Sequence, residues 1–344
     1  MESIQELKSR INSIIGTRQI TQSMRLVSTV RMRTVRDRML SNATFLEETT
    51  RMALEAAMDP DAFDHPYVRG LKAHTRYNTG DNSEEENSGG GGCTPRSRKC
   101  VVVIGADRGL CGGYNVNVYR EARALIRRLG DVKLIIVGQK ICDLFSQRSY
   151  SGADIEKTYT GISETPFFED AEEIAATALR LYNSGATDAI YIVHTRFINM
   201  LTHMPTQTLL LPFKYNEEYV DAVGGQKDEG GENEDMNDAN GNGVKDGEAA
   251  VVRRIKPLTR YEPACADFLT LATPFYAAAV LFGAILESSV CEQCSRTISM
   301  DTAVKNSDEM IDALALKYNK ARQNAITAEL ADIIGGTKAL RLKI

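Results

Sequence analysis

MDTAVKNSDEMIDALALKYNKARQNAITA, residues 300–328, decides the fold. Within it Met300, Val304, Ser307, Ile311, Leu314, Tyr318, Ala321, Ala325 and Ala328 recur at alternating steps of four and three. That spacing is a heptad seam held for four repeats, which a helix uses to wind around a partner helix. The small residues Ala321, Ala325 and Ala328 predict a close approach late in the seam.

The partner lies at the other end of the chain. A proline inside a helix costs about 3 kcal/mol, so prolines mark where long helices cannot run. None occurs before Pro60 and none after Pro274. Met1–Met58 has only Gly16 as a breaker; Tyr276–Ile334 has only Gly283, and Gly335-Gly336 supplies a stop. Each predicted helix is roughly 80–90 Å long. Ile4, Leu7, Ile11 and Ile14 begin the same rhythm, which slips, resumes at Ile20, Met24 and Val27, and reappears at Val35 and Met39. With a compact domain between them, the two helices close most simply as an antiparallel pair.

Between the helices the pattern becomes alternating strand and helix. Cys100–Ala106, Val132–Gly138 and Asp188–Phe197 are short runs rich in β-branched residues, as in buried strands, with Thr206–Leu211 a fourth. Asn115–Leu129 and Phe168–Asn183 have helical spacing. The expected fold class is therefore α/β: a long antiparallel two-helix coiled coil from 1–58 and 264–344, plus a small central βαβ, Rossmann-like domain at 99–215. The stretches 78–98 and 216–250 are acidic, Gly- and Asn-rich insertions with too little apolar content to order themselves.

Composition agrees with a globular chain. Of 344 residues, 43% are hydrophobic and 25% charged, which argues against wholesale disorder and against a membrane-embedded protein. The longest apolar run, near Tyr276–Leu286, is shorter than the ~20 residues of a bilayer span, and the N-terminus reads as helix rather than as a secretory leader. Seven cysteines over this length read as thiols. The net charge of −5 is unevenly placed: 216–250 carries −9 and 78–98 carries −2, leaving the remainder at +6. A mildly basic body suits an acidic partner, nucleic acid or protein.

Each motif has a plain reading beside a chemical one. Gly105–Gly113 lies between a strand and a helix, where phosphate loops sit, but it matches neither G-x-G-x-x-G nor G-x-x-x-x-G-K-[ST]. Gly109, Gly112 and Gly113 are better read as enabling a tight turn. Cys291-x-x-Cys294 has no second pair at zinc spacing and falls on a helix. His65, His74, His194 and His203 are scattered, with no catalytic constellation. Arg25, Arg31, Arg33, Arg36 and Arg38 make a basic helical stretch, but the zipper that should follow a DNA-binding basic region does not keep frame. A βαβ nucleotide-binding enzyme with helical arms and a basic coiled-coil DNA binder are the rival readings.

Three blocks then resemble one family. They are Ile20-Thr21-Gln22-Ser23-Met24-Arg25-Leu26-Val27-Ser28; Asp107-Arg108-Gly109-Leu110-Cys111-Gly112-Gly113-Tyr114-Asn115; and Tyr318–Thr327 with Glu329-Leu330 and Ile333-Ile334-Gly335-Gly336. Together they resemble the gamma subunits of F-type ATP synthases, with weaker matches at His65-Pro66-Tyr67, Phe197-Ile198-Asn199, Pro205-Thr206 and Cys291-Glu292-Gln293. The resemblance implies a rotor shaft without catalytic, cofactor or metal sites of its own. Its terminal helices would turn inside a hexamer of alpha and beta subunits, and its middle domain would sit on the epsilon subunit and the membrane c-ring. Nucleic acid would not be a partner, and membrane contact would come only through the complex.

Carried over position by position, Met24 matches a shaft methionine near the beta-subunit levers. Arg322, Gln323 and Thr327 match positions that meet hexamer loops, and Glu292 and Arg296 match a polar pair facing the Met24 region. These six are the expected coupling contacts. The expected location is peripheral, on the cytoplasmic face of a bacterial plasma membrane, with a thylakoid or mitochondrial inner membrane as the alternative. Some photosynthetic members carry an extra middle segment with a regulatory cysteine pair; 216–250 is similarly placed and has no cysteine.

Overall fold

Ser3 starts the first helix by a reciprocal cap: its hydroxyl accepts from Glu6 N, and the Glu6 carboxylate accepts from Ser3 N. Helix α1 then runs unbroken over Ile4–Ala57. The computed structural model describes residues 3–69, 98–146, 153–213 and 264–341, so the acidic insertions, apart from Arg98, lie outside the described residues. After α1 come a 3₁₀ turn (Pro60–Ala62) and a single-turn helix α2 (Pro66–Arg69). The chain continues as β1 (Lys99–Ile104), α3 (Tyr114–Leu129), β2 (Val132–Val137), α4 (Gln139–Ser146), β3 (Ala153–Tyr159), α5 (Phe168–Asn183), β4 (Ile190–Phe197), β5 (His203–Leu211) and α6 (Cys265–Arg341).

Helices α1 and α6 pack antiparallel, held in register by Arg18–Asp308 (2.5 Å) and Arg25–Asp301 (2.8 Å). The seam of α1 does not slip. Ile4, Leu7, Ile11, Ile14, Arg18, Thr21, Arg25, Ser28, Met32, Val35 and Met39 keep the four-three rhythm and all avoid full exposure. Ile20, Met24 and Val27, expected in the seam, are exposed on its flank. The frame is masked in the sequence because polar residues occupy its middle. Thr21 satisfies its hydroxyl on its own helix, at Thr17 O (2.8 Å), and Arg25 reaches across to an aspartate.

Four expectations for α6 change. The helix begins at Cys265 and carries Pro274 inside it. Burial of Leu269, Thr273, Ala277 and Ala278 holds both sides of the proline in the core, offsetting the lost hydrogen bond. It also passes through Gly335-Gly336, because glycine permits a left-handed stop without compelling one. Ala325 and Ala328 are exposed rather than in close approach. At the register of the two ion pairs, α1 starts level with Arg322, so nothing of α1 faces them. The apolar length was also understated: part of α6 is long and apolar enough to cross a membrane by composition, but most of it is buried inside the protein.

The middle domain is a sheet of order β3-β2-β1-β4-β5, with β5 antiparallel and the other pairings parallel. Alternation along β1 sends Val101 and Val103 to a core under α3 and α4, and Cys100, Val102 and Ile104 to a core under α5 and α6. The sequence reading missed α4 and β3, the latter because an edge strand such as Ala153–Tyr159 is mostly polar and exposed. It also began β5 three residues late.

Candidate functional site

At the carboxyl ends of the parallel strands, beside the point where strand order reverses between β1 and β4, doubly wound domains hold their ligands. Here the shaft occupies that place. β1 delivers the turn Gly105–Gly113, whose start is pinned from inside the domain. Asn115 Oδ1 accepts from Ala106 N (2.9 Å), and Asp107 accepts from Gln139 N (3.1 Å) and Ser163 N (3.0 Å). Ser163 Oγ accepts from Asp107 N in return (3.2 Å).

The crest of the turn faces α6. Ser295 Oγ donates to Cys111 O (2.7 Å), and Arg296 Nη2 donates to Gly109 O (3.4 Å) and Arg108 O (3.5 Å) while holding Glu292 at 2.6 Å. Ser289 Oγ donates to Ser163 O (2.7 Å), and buried Tyr114 donates to Ser288 O (3.2 Å). On the outer side Glu164 bridges Arg108 (2.6 Å) and Arg31 of α1 (2.9 Å). The turn thus touches α6 directly and is linked to α1 through Glu164.

A phosphate site needs free backbone N–H groups at the crest. Here the amides of Ala106 and Asp107 at the start of the turn bond side chains, and at the crest the carbonyls of Arg108 and Gly109 face an arginine, the opposite polarity. Of the three turn glycines, Gly112 is the demanding one, with φ +56° and Ser299 pressed against it. Gly113 precedes α3 at φ −82°, and a side chain on Gly109 would meet nothing.

Glu292 is 1% exposed. Burial pushes its carboxyl up to about 7, opposed by the neighbouring Arg296 guanidinium. Cys291 and Cys294 are buried thiols whose ionisation burial disfavours; Cys291 Sγ donates to Thr195 O (3.6 Å), and Cys294 packs in the seam with Met32 and Val35. His194 lies 3.4 Å from Glu287, and His65 Nε2 is 3.0 Å from Thr270 Oγ1.

The expected coupling residues fall in three places. Glu292 and Arg296 meet at the turn. Met24, 41% exposed on the flank of α1, is level with Asp301, about one and a half helical turns from Arg296. Arg322, Gln323 and Thr327 are exposed where α6 outruns α1, and Thr327 Oγ1 donates to Gln323 O (2.8 Å). The sequence reading missed Asp107, Ser163, Glu164, Ser289, Ser295 and Ser299. Their partners are distant in the chain, so no local spacing signals them.

Comparison with known proteins gives one consistent likeness. A family model described as ATP synthase matches residues 3–340. The ATP synthase gamma chain of Heliobacterium modesticaldum is 32% identical over 342 residues, covering 99% of this chain and 100% of the relative. That of Pelotomaculum thermopropionicum is 31% identical over 341 residues, again covering 99% and 100%. Among solved structures, a chain of the Euglena gracilis mitochondrial ATP synthase superposes with a TM-score of 0.57 at 18% identity, covering 98% of this chain and 94% of that one. A chain from the Tetrahymena thermophila central stalk and c-ring gives 0.51 at 21%, covering 83% and 99%.

Proposed function

Because the chain belongs to the ATP synthase gamma-chain family, we propose that it couples ion flow at a membrane ring to nucleotide chemistry in partner subunits by turning its shaft. It is a non-catalytic gamma subunit of the central stalk. It works as part of a membrane-associated complex containing the F1 head and a c-ring.

The finer reading concerns contacts. The observation that carries it is the last part of α6, where Arg322 and Gln323, level with the start of α1, and Thr327, beyond it, are exposed. A helix end that the described residues of its own chain do not cover suits insertion into a ring of alpha and beta subunits, with these three residues meeting hexamer loops. Exposed Met24, with Ile20 and Val27 beside it, presents an apolar flank for sliding contact with beta subunits. Glu292 and Arg296 act from the turn, and Gly109, Gly112 and Gly113 shape it. The epsilon subunit and the c-ring take the middle domain, and the complex sits on the cytoplasmic face of a bacterial plasma membrane.

An asymmetric shaft can bias three sites in turn only if it is stiff and offers each a different face. The buried seam, with Met32 and Val35 packed on Leu286, Val290 and Cys294, holds the two helices together, and Arg18–Asp308 and Arg25–Asp301 mark its register, an arrangement that suits a stiff shaft. Co-expression with alpha and beta subunits tests the reading. A stable complex holding one copy of this chain per hexamer is expected; failure to co-purify overturns it.

A further inference from the structure

Torque passes between the shaft and the α/β domain only if the two turn as one body. Apolar packing resists their separation, but it is non-directional and does little against sliding. Hydrogen bonds are directional and weaken steeply when bent, so a cluster of them at one place resists shear. The crest of the turn is one such place, next to a second on β4, where Thr195 N donates to Ser288 Oγ (3.2 Å) and Phe197 N to Glu287 (3.1 Å). Ser289, Ser295 and Arg296 of α6 all donate to carbonyls of the domain, and Glu164 ties the turn to Arg31 of α1.

We propose that the turn Asp107–Gly113, the loop Ser163–Glu164 and the Ser289–Ser299 stretch of α6 form the torque-bearing joint of the subunit, with Asp107, Ser163 and Glu164 as its positioning residues. The proposal rests on the rotor reading and deepens it by naming where the domain grips the shaft. Two features beyond the hydrogen bonds support it. Gly112 adopts a left-handed conformation that brings bare backbone against Ser299, a close approach in which a side chain on Gly112 would collide with the Ser299 hydroxyl but not with its β-carbon. Asp107 does not touch the shaft. It clamps Ser163 N and Gln139 N, holding the loop so that Ser163 O meets Ser289 and Glu164 meets both arginines. The crevice that would hold a ligand in a nucleotide-binding domain is filled by the protein's own helix.

A lock and a break test this in the complete complex reconstituted in vesicles. A β-carbon built on Gly112 lies 3.8 Å from Ser299 Cβ, the mean separation across a disulfide. Gly112→Cys with Ser299→Cys therefore locks the joint on oxidation, as peptide mapping can verify. A joint that stays closed through the cycle gives oxidised and reduced complexes the same synthesis rate, to within about 20%. A severalfold fall on oxidation that reductant reverses overturns the proposal.

Ser163→Ala with Glu164→Gln removes the Ser163 hydroxyl, which accepts from Asp107 N and bonds Glu292 of α6, and the carboxylate charge shared by Arg108 and Arg31, while the Ser163 carbonyl stays on Ser289. The expected result is unchanged ATP hydrolysis with at least a twofold lower ion uptake per ATP. A parental ratio, or a parallel fall of hydrolysis and uptake, overturns it. The parent chain separates the two levels of the argument. If the parent assembles and couples while the Ser163→Ala/Glu164→Gln complex matches it, the joint fails and the rotor reading stands; if the parent itself does not assemble, the rotor reading fails.

Discussion

A β-carbon placed on Gly112 would stand 2.5 Å from Ser299 Oγ, so the turn between β1 and α3 meets the shaft helix backbone first. Ser299 is not free to swing away at no cost, since its hydroxyl donates to Ser295 O at 2.8 Å. Gly112→Ala is therefore expected to lower stability by about 1–3 kcal/mol, from left-handed strain and the displaced serine together. Ser299→Ala in the same chain should recover the contact part and leave the backbone part. Denaturant unfolding of the three chains measures both.

The continuous seam makes a paired prediction. Met32 is buried against Leu286, Val290 and Cys294, whereas Ile20 is exposed. Met32→Ala should cost about 2–4 kcal/mol through the cavity it leaves, and Ile20→Ala less than ~0.5 kcal/mol. Equal costs in urea titrations would favour the slipped frame.

Glu292 gives a pH dependence with a definite sign. Its carboxyl is held near 7 in the folded chain by burial, above its ordinary value of 4.5, so the folded state binds the proton more tightly than the unfolded one. The resulting stability is complete below pH 4.5, is lost as pH rises towards 7, and changes no further above that. Glu292→Gln, which mimics the neutral form, should gain stability relative to the parent between pH 5 and pH 8. Thermal melts of both chains across that range provide the check, and parallel curves would contradict it.

Met24 is exposed, so Met24→Lys should leave the unfolding of the isolated chain unchanged within ~0.5 kcal/mol. In the complex a charge replaces a flexible apolar side chain at the sliding surface, and ion-driven ATP synthesis should fall while hydrolysis persists. Parental synthesis by the Met24→Lys complex would remove Met24 from the coupling surface.

Much of the architecture is legible because its signals are local and repeated. Steps of four and three from Met300 to Ala321 announce a partnered helix, and runs such as Val101-Val102-Val103 announce buried strands. The signal fades where the physics is not local. Thr21, Arg25 and Ser28 hold seam positions without being apolar, so apolar periodicity passes over them to Ile20, Met24 and Val27. Pro274 reads as a helix boundary until the buried neighbours that carry the helix through it are seen.

The candidate site divides along the same line. From local pattern alone Gly109–Gly113 reads as a turn between strand and helix, and the resemblance to a rotor family points to Met24, Arg322, Gln323 and Thr327 as expected contacts. Which groups the turn meets is visible only in the folded chain. Asp107 and Ser163 are 56 residues apart, and Cys111 and Ser295 are 184 apart. Serine and aspartate at such separations carry no periodicity and no motif; they acquire a role only when the fold sets a carbonyl within reach of a hydroxyl. A repeating pattern can be read before folding because every residue in it reports the same environment, whereas a single directional bond is defined by its partner.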